Sequence, residues 1–308
     1  MSLEEKNCIV VLGPTASGKT TLGVQLAYTL GGEVVSADSR QVYRGLDIGS
    51  GKDLGEYVVD GSRVPYHLID VVDLGHEFNV FEYQQLFFEA FQEILGRGML
   101  PVVVGGTGLY LEAVLSGYRM VETPTNSELR EALSVLTDEE LESRLKSLKS
   151  GLHNQTDLDD RERTVRAIEI VEYSKEHKPE PAPELRPLIL GTQWERSKLH
   201  ERIGARLKER LNHGLVEEVE GLLATGVEAE RLRSLGLEYR FVTDYLEGAI
   251  KNRNDLYQKL VVAIRNFAKR QETWFRRMER KGAEIIWVEE ADLEQALHVA
   301  QPRFPDRV

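Results

Sequence analysis

The chain has 308 residues, 41% hydrophobic and 29% charged, which suits one large domain or one domain carrying a smaller insert. A single cysteine excludes an internal disulfide and a cysteine-rich zinc site. With no apolar run of membrane-spanning length and no secretory pattern, the sequence predicts a cytoplasmic protein with no membrane association. Its 39 basic and 51 acidic residues give −12, which argues at first sight against a nucleic-acid partner, yet ten Lys/Arg against three acids fall between Lys251 and Lys281.

Taken in order, Cys8–Leu12 is a continuous apolar run, as expected of a strand buried on both faces. Gly13–Gly18 turns the chain, and Lys19–Leu30 carries leucines at helical spacing. Strands are predicted at Glu33–Ala37 and Leu100–Val104, with a buried-faced helix over Val80–Gly96 between them. After Tyr118, Thr123-Pro-Thr-Asn reads as a loop with helix-start chemistry and Glu128–Ser150 as charged helix. The polar stretch His153–Asp160 leads into a helical stretch at Arg161–Tyr173, and Lys178-Pro-Glu-Pro-Ala-Pro is a connector too poor in donors for regular structure. A strand at Leu188–Leu190, helices from Arg196 onward and a last strand at Ala283–Val288 complete the chain. The fold class is α/β: a P-loop NTPase-like parallel-sheet core at 1–117 and 188–308, with a small helical insertion at 118–187.

Gly13-Pro-Thr-Ala-Ser-Gly-Lys-Thr matches G-x-x-x-x-G-K-[ST] in the strand–loop–helix setting that motif requires. Its backbone N–H groups would surround phosphate oxygens, Lys19 would add positive charge, and the Thr20 hydroxyl would face Mg²⁺. Asp38 should stand at the C-terminal end of the second strand, facing the P-loop, as a Mg²⁺ ligand or a general base; a turn aspartate is the plain alternative. Gly105-Gly-Thr-Gly-Leu-Tyr is another glycine-rich loop after a strand, with Thr107 its one polar side chain. Leu256, Leu260, Ile264 and Phe267 have core spacing on a helix whose Lys269, Arg270, Arg276 and Arg277 form a basic face, with Trp274 expected to pack. Arg202 and Arg206 share a helix face and suit either a pyrophosphate or Glu209.

Together GPTASGKT, SADSRQVYRGLDIGSGK, PYHLID, VVVGGTGLY, DDRERTVRAIEI, LHERIGARL and FAKRQETWFR resemble the tRNA dimethylallyltransferase (tRNA isopentenyltransferase) family, in this order and over residues 8 to about 278. The resemblance implies transfer of a dimethylallyl group from dimethylallyl diphosphate to N6 of the adenosine 3′ of the anticodon. It implies that Gly13, Thr15, Ala16, Ser17, Gly18, Lys19 and Thr20, with Arg202 and Arg206, hold the diphosphate, and that Thr20 lies by Mg²⁺. Asp38 would be the base, Thr107 would position the amine and the leaving oxygen, and Lys19 would stabilise the leaving charge. Asp38, Ser39, Arg40, Gln41, Arg161, Arg163, Arg166, Lys269, Arg270 and Gln271 would contact tRNA, and a monomer is expected. Two stretches depart from the family pattern: Ser50-Gly-Lys-Asp stands where T-A-K-P is usual, and Gly236-Leu-Glu-Tyr-Arg where G-Y-R/K is usual. Prenylation of free adenine nucleotide, a P-loop kinase using ATP, and a non-catalytic RNA-binding module are the competing readings.

Overall fold

Five apolar residues, Cys8–Leu12, form β1, and none of them reaches solvent. In the computed structural model, which describes residues 5–115, 117, 119–148, 160–177 and 181–307, this strand is central to a parallel sheet. The chain continues through α1 (Lys19–Thr29), β2 (Gly32–Ser36), a two-stranded hairpin β3 (Val58–Val59) and β4 (Ser62–Arg63), β5 (Tyr66–His67), α2 (Val80–Gly96), β6 (Leu100–Gly105) and α3 (Gly108–Leu115). Next come α4 (Ser127–Ser134), α5 (Asp138–Leu148) and α6 (Arg161–Glu176). The chain ends with β7 (Pro187–Gln193), α7 (Arg196–Asn212), α8 (Leu215–Ala224), α9 (Ala229–Ser234), α10 (Leu237–Leu246), α11 (Arg253–Arg280), β8 (Ile285–Glu289) and α12 (Leu293–Ala300). Two compact units result, 1–116 with 183–308, and 117–182.

The six-stranded sheet runs β5-β2-β6-β1-β7-β8, with every pairing parallel. Because β1 lies between β6 and β7, it pairs Ile9 with Val102 on one side and with Leu188 on the other. Such a strand must be apolar on both faces, and each buried Val, Leu or Ile side chain contributes about 1.5–3 kcal/mol. The C-terminal ends of β1, β2 and β6 therefore open on one edge, the usual place for a ligand in a parallel α/β sheet. Among the described residues no helix is long and apolar enough to cross a membrane.

The charged stretch 128–150 is two helices rather than one. Thr137 and Glu140 form a capping box that starts a new helix: the Thr137 N–H donates to the Glu140 carboxylate at 2.8 Å, and the Glu140 N–H donates to the Thr137 hydroxyl at 3.3 Å. Leu133, Leu141, Leu145 and Ile168 make the small core of this unit. Most of the stretch 153–160, and Lys178–Glu180 of the proline-rich connector, lie outside the described residues. β5 and the β3–β4 hairpin were not foreseen; two-residue strands are too short to show a period.

In α11 the buried positions are Leu256, Leu260, Val261, Ile264, Ala268, Gln271, Phe275 and Met278. Phe267, expected in the core, is 38% exposed because Ala268 takes the inward place one residue on. Asn252 caps the helix by accepting the Asp255 N–H at 3.0 Å.

Candidate functional site

The phosphate loop follows β1 directly and reaches the N-terminus of α1 through left-handed Ala16 (φ +64°) and Gly18 (φ +84°). Gly13 has no room for a side chain: a Cβ would lie 2.0 Å from the Thr192 hydroxyl. Residues far along the chain hold the loop. The Thr192 hydroxyl donates to Ser17 Oγ at 2.6 Å, Trp194 Nε1 donates to the Ser17 carbonyl at 2.9 Å, and Arg202 Nε donates to the Ala16 carbonyl at 2.9 Å. Thr192 and Trp194 carried no sequence signal, since neither belongs to a local motif. Arg202 also stacks on Trp194, 4.2 Å from the ring centroid, so its guanidinium supports the loop from behind and is absent from the cavity lining. The sequence placed Arg202 on the diphosphate; here its guanidinium holds the loop backbone at Ala16.

Arg206, one turn further along α7, donates to the Thr15 hydroxyl and does line the cavity. Lys19 Nζ donates to the Pro14 carbonyl at 3.2 Å. Burial, reinforced by the Arg206 charge, lowers the Lys19 pKa to about 8; burial with Arg210 nearby lowers that of Arg206 to about 10. Both cations are thus poorly compensated, and an anion beside them would favour their charged forms and raise both values.

Asp38 follows β2 as expected. Its Oδ1 accepts the Arg40 N–H at 2.8 Å, which fixes the carboxylate in a turn and leaves the second oxygen open to other partners. Two bonds stitch this turn to the loop after β6: the Ser39 N–H donates to Thr107 Oγ1 at 3.1 Å, and the Thr107 N–H donates to the Ala37 carbonyl at 3.2 Å. Gly105 permits this closeness, because a Cβ would stand 2.2 Å from the Ala37 carbonyl oxygen.

Gln41 and Gln271, both expected among RNA contacts, are 8% and 7% exposed and have other work. Gln41 Nε2 donates to the Gly51 carbonyl at 3.0 Å, and its Oε1 accepts the Ser36 hydroxyl at 2.9 Å. Gln271 accepts the Thr15 N–H at 2.8 Å and donates to the Gly106 carbonyl at 2.8 Å, joining the two glycine-rich loops. Both amides are struts, Gln271 between two backbone segments and Gln41 between the Ser36 hydroxyl and the Gly51 carbonyl, and both line the cavity described below. Trp274 packs as expected: a Cβ on Gly108 would be 2.3 Å from its ring, and Arg277 lies over the ring at 4.0 Å while donating to Glu112 at 2.7 Å.

Lys269 and Arg270 are exposed on α11, and Arg270 lines the cavity mouth beside Phe267. In the helical unit Arg163 is exposed, whereas Arg161 caps the carbonyls at the end of α4 and pairs with Asp138 at 2.6 Å. Arg166 donates to Glu169 at 3.1 Å and to the Thr123 carbonyl at 2.6 Å. Arg161 and Arg166, expected to contact tRNA, are thus already paired within the helical unit while staying partly exposed.

These loops enclose a cavity of about 360 Å³. Lys19, Arg40, Arg206, Arg210, Arg233, Arg240 and Arg270 line it, against only Asp38 and Glu238. A chain of net charge −12 thus concentrates positive potential in one cleft, where low-dielectric walls focus it. Val104, Tyr57, Leu237, Ile264 and Phe267 give the same cavity apolar patches. Thr20 lines it as well, and among the described residues no group of three His, Cys, Asp or Glu side chains could hold a metal. A divalent ion here would have to take most of its ligands from a diphosphate and water, the habit of Mg²⁺ rather than of Zn²⁺.

A parallel sheet with a phosphate loop on its central strand, and a carboxylate and a threonine on the neighbouring strand ends, defines a P-loop enzyme of the group-transfer kind. The IPP transferase family model matches residues 41–278 and the isopentenyl transferase model residues 6–70. The chain is 59% identical to tRNA dimethylallyltransferase 1 of Geotalea uraniireducens over 92% of each chain, and 54% identical to that of Syntrophus aciditrophicus over 94% and 95%. The tRNA isopentenylpyrophosphate transferase of Bacillus halodurans superposes with TM-score 0.70 at 30% identity, covering 99% of this chain and 98% of that one. A eukaryotic dimethylallyltransferase has the same fold, with TM-score 0.77 at 22% identity over 98% and 80%. The chain belongs to the tRNA dimethylallyltransferase (IPP transferase) family.

Proposed function

We propose that the cavity holds dimethylallyl diphosphate and the adenosine 3′ of a tRNA anticodon together, and transfers the dimethylallyl group to N6. The observation carrying this is that Lys19 and Asp38 line one cavity while Thr107 ties the Asp38 turn to the opposing loop. The C1–O bond of the donor breaks and its electron pair leaves on the diphosphate, stabilised by Lys19, Arg206 and the P-loop N–H groups. The N6–C1 bond forms, and the proton lost from N6 passes to the open oxygen of Asp38. Mg²⁺, held by Thr20 and diphosphate oxygens, would neutralise part of the leaving charge. An adenine in a loop reaches such a cleft only by leaving its stack, and Arg270, Lys269 and the helical unit with Arg163 would hold the surrounding phosphates.

The test is incubation of the purified protein with Mg²⁺, labelled dimethylallyl diphosphate and unmodified tRNA with an A-rich anticodon loop. Label is expected in tRNA. Label in AMP but not in tRNA would overturn the acceptor assignment, and ATP turnover without prenyl transfer would overturn the reaction.

A further inference from the structure

The loop between the Asp38 turn and the β3–β4 hairpin carries four consecutive backbone donors with no backbone acceptor among the described residues: the N–H groups of Asp47, Ile48, Gly49 and Ser50. Glu218, in the first turn of α8, takes three of them. Its Oε2 accepts from Asp47 at 3.1 Å and from Ile48 at 2.6 Å, and its Oε1 accepts from Gly49 at 3.1 Å. Tyr239 of α10 completes the set, since its buried hydroxyl donates to Glu218 Oε1 at 2.8 Å and meets the Ser50 N–H. Gly49 admits that ring: a Cβ there would stand 2.6 Å from it. Successive N–H groups converging on one point make an anion-binding concavity, and here the chain supplies its own anion.

The start of α8 does not need this carboxylate. Glu217 beside it is exposed and serves the helix dipole, and Glu218 makes no cap to its own helix. What Glu218 holds instead bears on the base. The Gly51 carbonyl accepts Gln41 Nε2 at 3.0 Å, and Gln41 Oε1 accepts the Ser36 hydroxyl at 2.9 Å, so the loop is tied to the chain on both sides of Asp38. Asp38 and Gln41 line the same cavity as Gly49, Ser50 and Gly51. The far end of the loop is pinned as well: buried Lys52 donates to the Tyr43 carbonyl and to Asp47, both at 2.8 Å, and Arg210, packed on Gly51, donates to Asp53 at 3.2 Å. The phosphate loop hangs from a different set of residues, Thr192, Trp194, Arg202 and Gln271. Slackening the 47–51 loop should therefore move the base and leave the diphosphate site in place.

We propose that Glu218 is a positioning residue for the chemical step: by gathering the N–H groups of the 47–50 loop it fixes the Gln41 strut, and through it the place where the Asp38 carboxylate meets the acceptor amine. This rests on the prenyl-transfer reading and adds to it a residue that does not line the cavity. Glu218 exchanges no proton with the substrate. The N6 proton still passes to Asp38.

The experiment is a double-mutant cycle on single-turnover prenyl transfer to unmodified tRNA, with enzyme and dimethylallyl diphosphate both in excess. Glu218→Gln is nearly isosteric but turns an NH₂ group towards backbone donors. In the presence of Asp38 it is expected to slow transfer about 10–100-fold. In the Asp38→Asn background the same change should cost less than about threefold, because a misplaced base that is already absent costs nothing more. Binding of inorganic diphosphate should stay within about twofold of wild type in every variant, the P-loop being held separately. Tyr239→Phe, which removes the Ser50 acceptor and one donor to Glu218, gives a second cycle with the same pattern and a smaller loss, should Glu218→Gln not fold. Losses that multiply across the cycle, a fall in diphosphate affinity that tracks the rate, or an unchanged rate in both variants would each overturn the inference. A wild type that transfers nothing to tRNA overturns the prenyl-transfer reading itself, and is seen before any variant is compared.

Discussion

The side-chain oxygen of Gln271 accepts the backbone N–H of Thr15 at 2.8 Å, across 256 positions of sequence, while its amide nitrogen holds the Gly106 carbonyl. A residue of the basic helix α11 therefore sets the spacing between the phosphate loop and the loop carrying Thr107. Gln271→Met removes both bonds at nearly constant volume. It is expected to cost about 1–3 kcal/mol of stability through two unsatisfied backbone groups and to raise donor KM. Gln271→Glu keeps the acceptor but offers a donor only when protonated, so its activity relative to wild type should recover as pH falls. Thermal melts and initial rates across pH test both; an unchanged donor KM in Gln271→Met would remove the strut from the catalytic geometry.

Lys19 gives a pH dependence with a definite sign. In the free protein its pKa is lowered to about 8, mainly by burial. A bound diphosphate favours the charged amine and raises that value. Affinity should hold below pH 8 and decline above it, by up to about tenfold per pH unit. Calorimetric titration of inorganic diphosphate from pH 6.5 to 9.5 measures this. Comparison with Lys19→Met separates the lysine from the ligand's own ionisation: the variant should bind weakly throughout and lose the extra slope.

Asp38 is expected to act in the chemical step and not in donor binding. Asp38→Asn keeps the side-chain oxygen that accepts the Arg40 N–H but removes the base. A loss of about 10²–10⁴-fold in kcat is expected, with diphosphate affinity close to wild type. Retention of kcat within a few-fold would exclude it as the proton acceptor.

The helical unit should be the acid-sensitive part of the molecule. Glu169 is buried, which would raise its pKa, but Arg130, the Asn126 N–H and Arg166 outweigh this and hold it at about 2. A lowered carboxyl pKa stabilises the fold fully above about 4.5, and that stability is lost as pH falls from there towards 2. Hydrogen exchange within 160–177 should quicken over that window before the sheet does. Glu169→Gln should abolish the dependence and cost about 2 kcal/mol, less than for a fully buried pair because both arginines are partly exposed.

Much of this protein was legible without coordinates. The buried β1 run, the turn at Gly13–Gly18, the helix over Val80–Gly96 and the placement of Asp38 at a strand end follow from local periodicity and motif spacing, which act within a few residues. Motif spacing also located the phosphate-loop motif, and the resemblance of seven motifs pointed to the family. Local signals could not separate Phe267 from Ala268 as the inward residue of α11, nor tell that Gln41 and Gln271 are struts, because neighbours from distant segments decide burial. Nor could they foresee that Arg202 braces the loop backbone while Arg206 lines the cavity, or that Gly51 and Asp53 meet Arg210. Sequence determined what each segment would become, since helix and strand patterns are short-range. Tertiary structure decided which charges would share one cavity, since contacts between residues more than a hundred positions apart leave no pattern along the chain.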